Sequence, residues 1–278
     1  MRSIAILNQK GGVGKTTTAV NLASAIARMG HKVCVLDLDP QAHASLHLGI
    51  GVASGTQSIY QVLMGEASLE DVRHEAGENL WCIPAHLDLA AAEMELAGEV
   101  GREMILRDAM EVHGHQYDYL IIDCPPSLGV LTLNALACVD EVFLPLQPHF
   151  LALHGLSKLL RTVDIVSKRI NPGLKLTGVV LCLFESGTRL AGEVAGDVHE
   201  FFGQGTSEGN TWASAEVFQT RIRRNIRLAE APSFGQSIFE YDANSNGAED
   251  YSNLAREVLG LGLASKSTEE AMAESAAA

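Results

Sequence analysis

Short apolar runs alternate with longer segments whose apolar residues recur every three or four positions. Ser3-Ile4-Ala5-Ile6-Leu7 is a strand-type run. Residues Thr16–Met29 follow as a helix, with Ala19, Val20, Ala23, Ile26 and Ala27 at helical spacing and Gly30 as its stop. Lys32–Leu36 is a second buried strand. Ser58–Met64 and Ser68–His74 read as short helices, and Leu80–Ile83 as a strand stopped by Pro84. Leu87–Leu96 and Arg102–Val112 are helical, and Tyr119–Ile122 is a strand ending at Asp123. Val142–Leu146 is a strand, Leu153–Ile170 a long amphipathic helix, Leu176–Leu183 a strand and Leu190–Phe202 a helix. Strands this continuously apolar are covered on both faces. The expected fold is therefore α/β: three layers, a mostly parallel twisted sheet with helices on both sides.

The alternation continues to about residue 260 without an internal repeat. We read 1–262 as one domain and 263–278, which has little apolar bulk, as a disordered tail. Gly203–Ser214, rich in glycine, serine and threonine, reads as a surface loop. A chain of 278 residues can bury a core without staples. It has no apolar run near the roughly 18–20 residues that cross a bilayer. The first residues enter a strand directly, which leaves no place for a signal peptide. Five scattered cysteines, none in a C-x-x-C pair, fit a reduced cytoplasm and buried thiols better than zinc or a cluster. His43 and His47 stand four apart without a third ligand and read as a surface pair. Met29, Met94, Met104 and Met110 read as core or gap fillers.

The candidate chemistry starts between the first strand and the first helix, at Asn8-Gln9-Lys10-Gly11-Gly12-Val13-Gly14-Lys15-Thr16-Thr17. A glycine-rich loop in this context turns backbone N–H groups toward a phosphate, and the helix N-terminus adds its positive dipole end. Lys15 is placed for the β/γ-phosphates and the Thr16 hydroxyl for Mg²⁺. Gln9 occupies the position of the usual first glycine, and Lys10 adds a cation at the front of the loop. Asp37, Asp39 and Asp123 follow apolar strands. In a parallel sheet those carboxyl ends line one crevice with the phosphate loop. Asp123 suits Mg²⁺, directly or through water. Of Asp37 and Asp39, one can sit near the metal while the other orients an attacking water.

The formal charge of −14 repels nucleic acid on average, so any contact with it must be local. Arg221, Arg223, Arg224 and Arg227, four arginines within seven residues, form one such place. Without interleaved aromatics they suit phosphates and not base readout. The bland alternative is a solvated strand edge whose arginines pair with Glu230 or Glu240.

Four blocks carry a family resemblance. Lys10–Thr17 looks like the deviant Walker A motif of the ParA/Soj/MinD ATPases. Asp37-Leu38-Asp39-Pro40-Gln41 matches that family's D-x-D-P-Q segment, and Ile121–Ser127 its Walker B region. Arg224–Ser233 is similar to the R-N-x-R-L-x-E-A-P-S block of chromosomal ParA (Soj) proteins. The resemblance implies a P-loop ATPase using ATP and Mg²⁺, weak alone and stimulated by a ParB-like activator. It implies an ATP-bound homodimer in which Lys10 reaches the partner's nucleotide. It makes Asp39 the residue that positions water and Asp123 the Walker B carboxylate, and sets Asn225 near the adenine. It also implies sequence-independent DNA binding through Arg221, Arg223, Arg224, Arg227 and a further arginine. The matching position for that last residue holds Gly187, with Arg189 two residues on. The expected role is chromosome or plasmid partition, or cargo positioning, in the cytoplasm on the nucleoid. The alternative is a MinD-like membrane positioner, which needs a basic amphipathic C-terminal helix; this tail is acidic and alanine-rich. The phosphate loop begins near residue 9, which leaves no expectation of an N-terminal helix-turn-helix.

Overall fold

The computed structural model describes residues 1–51, 56–113, 116–149, 155–185, 187, 189–203 and 210–262. Among these, eight strands form one sheet in the order β3-β4-β2-β5-β1-β6-β7-β8. The strands are β1 (Arg2–Ile6), β2 (Val33–Asp37), β3 (His74–Gly77), β4 (Leu80–Ile83), β5 (Tyr119–Asp123), β6 (Glu141–Leu146), β7 (Lys175–Phe184) and β8 (Glu216–Arg223). Every pairing is parallel except β3 with β4.

Strand side chains alternate between two cores. Ala5 and Leu7 face one, with Leu36, Leu120, Ile122 and Leu144. Ile4 and Ile6 face the other, with Val33, Val35, Ile121 and Phe143. Helices α1 (Lys15–Arg28), α2 (His43–His47), α10 (Ile226–Glu230), α11 (Ile238–Tyr241) and α12 (Asn246–Val258) cover the second core. Helices α3 (Ile59–Leu63), α4 (Leu69–Val72), α5 (Leu89–Glu95), α6 (Ile105–His113), α7 (Val130–Cys138), α8 (Leu156–Arg169) and α9 (Arg189–Gly203) cover the first. The three-layer expectation holds, and no described helix is long and apolar enough to cross a membrane.

Four local expectations are corrected. The helix read over Ser68–His74 stops at Val72, and His74 opens the antiparallel edge strand β3. Helix α7 escaped the pattern because it is apolar on nearly every side: Leu131, Thr132, Asn134, Ala135, Leu136 and Ala137 are all buried. Met94 does not fill the core; it is 78% exposed on α5. His47 is not at the surface. It is 1% exposed, beneath the chain at 235–236, where Gly49 and Gly235 approach backbone to backbone. Both glycines hold positive φ, and a Cβ on Gly235 would stand 2.8 Å from Gly49 Cα. The expected tail at 263–278, and residues 204–209 of the loop expected at 203–214, lie outside the described residues.

Candidate active site

The carboxyl ends of β1, β5 and β2 are adjacent. In register, Ile6 lies beside Asp123 and Asp123 beside Asp37. The chain leaving β1 must turn sharply into α1, and Gly12 (φ 72°) and Gly14 (φ 93°) supply the left-handed conformations of that turn. A Cβ at Gly11 or Gly12 would meet nothing within 4 Å, so both face open space. An open cleft of about 740 Å³ lies over the loop. Gly11, Gly12, Lys15, Thr16, Asp39 and Pro125 are among its walls. Lys15, Thr16 and Thr17 open α1 ahead of its first backbone bond, Thr18 N to Gly14 O (2.8 Å), and the free N–H groups and dipole of this turn favour an anion.

The Thr16 hydroxyl donates to Asp123 Oδ2 at 2.7 Å. Asp123 is fully buried, and its other oxygen, Oδ1, has no hydrogen-bond partner among the described residues. Burial first, then the charge of Asp37, pushes the Asp123 pKa well up; Thr16 and Lys15 oppose this. A buried carboxylate with one orphan oxygen beside a threonine hydroxyl is the donor set a hard divalent cation takes, so the residues fit Mg²⁺.

Asp37 is differently employed. Its Oδ2 accepts from Ser45 N (2.8 Å) and Ser45 Oγ (2.7 Å), and its Oδ1 from Asp39 N (3.2 Å). Burial raises its pKa to about 6 despite these bonds. It organises the turn that carries Asp39. Asp39 itself is half-buried at the cleft wall, accepting from Gln41 N at 3.0 Å.

The two loop lysines differ. Lys15 is buried, with its ammonium near the Lys10 carbonyl (3.5 Å). Lys10 is exposed, and its ammonium contacts His149 Nε2. Asn8 sets that geometry: its Oδ1 accepts from Lys10 N (3.0 Å) and its Nδ2 donates to Pro145 O (2.8 Å). Ser45 and His149 carry no motif, and Asn8 stood at the front of the loop stretch without a role assigned to it. Asn225 caps α10 and accepts from Arg227 N at 2.8 Å. It lines a smaller pocket of about 110 Å³ that opens beside Gly14 and Thr17, with Cys182, Leu183 and Leu228. Val13 is buried under the loop.

The arginines do not form one free patch. Arg223, at the end of β8, binds Asp250 (2.6 Å) and Glu249 (2.5 Å) on α12, and these partners raise its pKa. Arg224 pairs with Glu185 (2.8 Å), Arg227 with Glu230 (2.9 Å) and Asp242 (3.3 Å), and Arg189 with Glu193 (2.8 Å). Arg221 lies over the Phe184 ring at 4.5 Å.

Sheet, loop and acidic triplet define a P-loop NTPase with an added lysine at the loop's front. A family model described as "AAA domain" matches residues 1–176. The chain is 45% identical over 260 residues to the sporulation initiation inhibitor protein Soj of Bacillus subtilis, covering 93% of this chain and 98% of that protein. It is 44% identical over 259 residues to the chromosome partitioning protein ParA of Myxococcus xanthus, covering 93% and 88%. A crystal structure of cobyrinic acid a,c-diamide synthase from Mycobacterium smegmatis, with bound ATP analogue and magnesium, matches with a TM-score of 0.79 at 34% identity, over 93% of this chain and 94% of that one. A Cyanothece McdA–ATP complex shares the fold, with a TM-score of 0.81 at 21% identity over 96% and 99%. The chain belongs to the ParA/Soj family of partitioning ATPases.

Proposed function

We propose that this protein is an ATP-driven dimerisation switch that binds DNA without sequence preference and is reset by a ParB-like activator. Its cargo is a chromosome, a plasmid or another assembly. The observation that carries the reading is the division of labour between the lysines. Lys15 is buried beneath the loop, while Lys10 stands exposed at its mouth, available to a second subunit. A lysine offered across a subunit contact neutralises phosphate charge only when two subunits meet, which makes nucleotide a condition of assembly.

ATP and Mg²⁺ are the cofactors. Gly11, Gly12, Val13, Gly14 and Thr17 would cradle the phosphates, and Thr16 and Asp123 would hold the metal. Bound Mg²⁺ supplies charge neutralisation at the transferred phosphoryl group. Asp39 would accept a hydrogen bond from the attacking water and hold it in line. The Asp37–Ser45 bonds fix the turn on which Asp39 rides. The pocket beside Asn225 would receive the base. A single carboxylate leaves the site incomplete, so hydrolysis is slow until a partner completes it. DNA contact falls to cations outside the cleft, Arg221 and the partly committed Arg189, Arg224 and Arg227 among them. The protein then resides in the cytoplasm on the nucleoid.

Sedimentation with and without ATP tests the switch. The wild type should pass from monomer to dimer with ATP. Lys15→Ala should lose nucleotide binding. Asp39→Ala should bind ATP and remain dimeric. A monomeric Asp39→Ala protein with ATP bound overturns the reading.

A further inference from the structure

We propose that the outward face of α8 is a binding surface for the phosphate backbone of duplex DNA. This rests on the reading of the protein as an ATP-dependent DNA binder and names a surface for it outside the arginine block. Helix α8 buries Leu156, Leu159, Leu160, Val163 and Val166 in the core. At 100° per residue, Lys158, Arg161, Ile165, Lys168 and Arg169 share an arc of roughly 100° on the opposite side. All five are exposed. Lys168 holds Asp164 at 2.7 Å, the helix's one acid. Lys158, Arg161 and Arg169 have no ion-pair partner among the described residues.

The contrast with the arginine block decides the choice. Arg189, Arg223, Arg224 and Arg227 are each held by a carboxylate, so a phosphate must displace that partner first, and Arg221 is a single cation laid over the Phe184 ring. Lys158, Arg161 and Arg169 on α8 need no such exchange. They concentrate positive charge in a chain whose net charge is −14. From Lys158 to Arg169 the helix rises about 16 Å, enough to meet several phosphates of a duplex carrying one charge per ~1.7 Å of axis. Long flexible cations without aromatics contact backbone and leave bases unread. A lipid surface is the poorer match, because the apolar side of α8 is spent on the core and only Ile165, 42% exposed, faces outward. The root of the helix also adjoins the nucleotide loop. Gly155 and Leu156 share a cavity of about 290 Å³ with Lys10 and His149, which sets the start of α8 beside the exposed lysine.

The test uses the full chain with ATP and Mg²⁺, a random-sequence duplex, and fluorescence anisotropy from 50 to 200 mM salt. The variant is Lys158→Gln/Arg161→Gln/Arg169→Gln, with Lys158→Arg as the conservative control. The expected result is at least a tenfold loss of affinity and a salt slope flatter by about 2–3, since each phosphate contact contributes about 0.9. ATP-dependent dimerisation should be intact, and Lys158→Arg should bind like wild type. Unchanged affinity and slope overturn the α8 surface while leaving the switch reading standing. So does a variant that no longer dimerises, because the cations would then belong to the subunit contact. Intact DNA binding with lost binding to phosphatidylglycerol vesicles would overturn it in favour of a lipid. If the wild type itself ignores DNA in the presence of ATP, the switch reading fails, and the α8 surface with it.

Discussion

Thr16 and Asp123 meet across 107 residues of sequence, hydroxyl to carboxylate at 2.7 Å, and leave Asp123 Oδ1 buried and unpartnered. The unmet oxygen is a cost the free protein bears for its metal site. Asp123→Asn removes the buried charge beside Asp37 and keeps the shape. Its nucleotide-free form should therefore be more stable than wild type, by about 1 kcal/mol, while Mg²⁺-dependent ATP binding is lost. Thermal melts with and without Mg·ATP check both halves. A variant that still gains stability from Mg·ATP as wild type does would remove Asp123 from the metal site.

Gly178 on β7 lies between two aromatic rings, those of Phe143 on β6 and Phe218 on β8, whose centroids are 5.2 Å apart. A Cβ there would stand 2.5 Å from the Phe218 ring and 2.8 Å from that of Phe143. Gly178→Ala should cost about 1–3 kcal/mol by overpacking. Phe218→Leu in the same chain should recover part of it. Urea denaturation of the single and double variants gives the comparison; a neutral Gly178→Ala would show that the rings move aside freely.

His47 sets a pH limit on stability. Desolvation lowers its pKa from 6.5 to about 4, opposed by a bond to the Gln236 backbone. Below pH 6.5 the unfolded chain takes a proton that the folded chain refuses. The His47 contribution is thus fully present above pH 6.5 and is lost as pH falls through the folded value. The difference between the two values corresponds to roughly 3 kcal/mol. In His47→Gln, the fall in stability between pH 6.5 and 4 should be shallower by about that amount. Equal slopes in the two proteins would remove His47 from the acid response.

His47 also marks where pattern reading runs out. The strands ending at Leu7, Asp37 and Asp123 were legible because buried parallel strands are apolar runs, and the loop was legible because its turn demands glycine at fixed places. His47 belongs to α2 by local sequence, yet its burial comes from a turn near residue 235, which no local window contains. Edge strand β3 (His-Glu-Ala-Gly) has too little apolar character to register and exists through its pairing with β4. Helix α12 was within reach: Ser245 caps it, and Tyr251, Leu254, Ala255 and Val258 lie on its buried side. The site's acidic residues were found by their place after strands. That Asp37 serves Ser45 and the Asp39 turn required the fold, because Ser45 offers both its N–H and its hydroxyl only once α2 packs back over β2.

The ion pairs of Arg223 and Arg224 predict that two neighbouring arginines answer differently to the same substitution. Arg223 joins β8 to α12 through Asp250, whose side chain is 7% exposed and whose pKa burial raises against the pull of Arg223. Arg223→Ala leaves that carboxylate buried without its partner and should destabilise the protein by about 2–4 kcal/mol. Asp250→Asn added to it should restore much of the loss, because the stranded charge is gone. Arg224 and Glu185 are 61% and 50% exposed, and Arg224→Ala should cost no more than about 0.5 kcal/mol. Melting curves of the four proteins separate the cases. DNA binding lost in Arg223→Ala and regained in the double variant would be a loss of fold. DNA binding lost in Arg224→Ala at full stability would be a loss of contact. Equal, small effects on stability at both positions would mean that α12 does not depend on Arg223 for its place against the sheet.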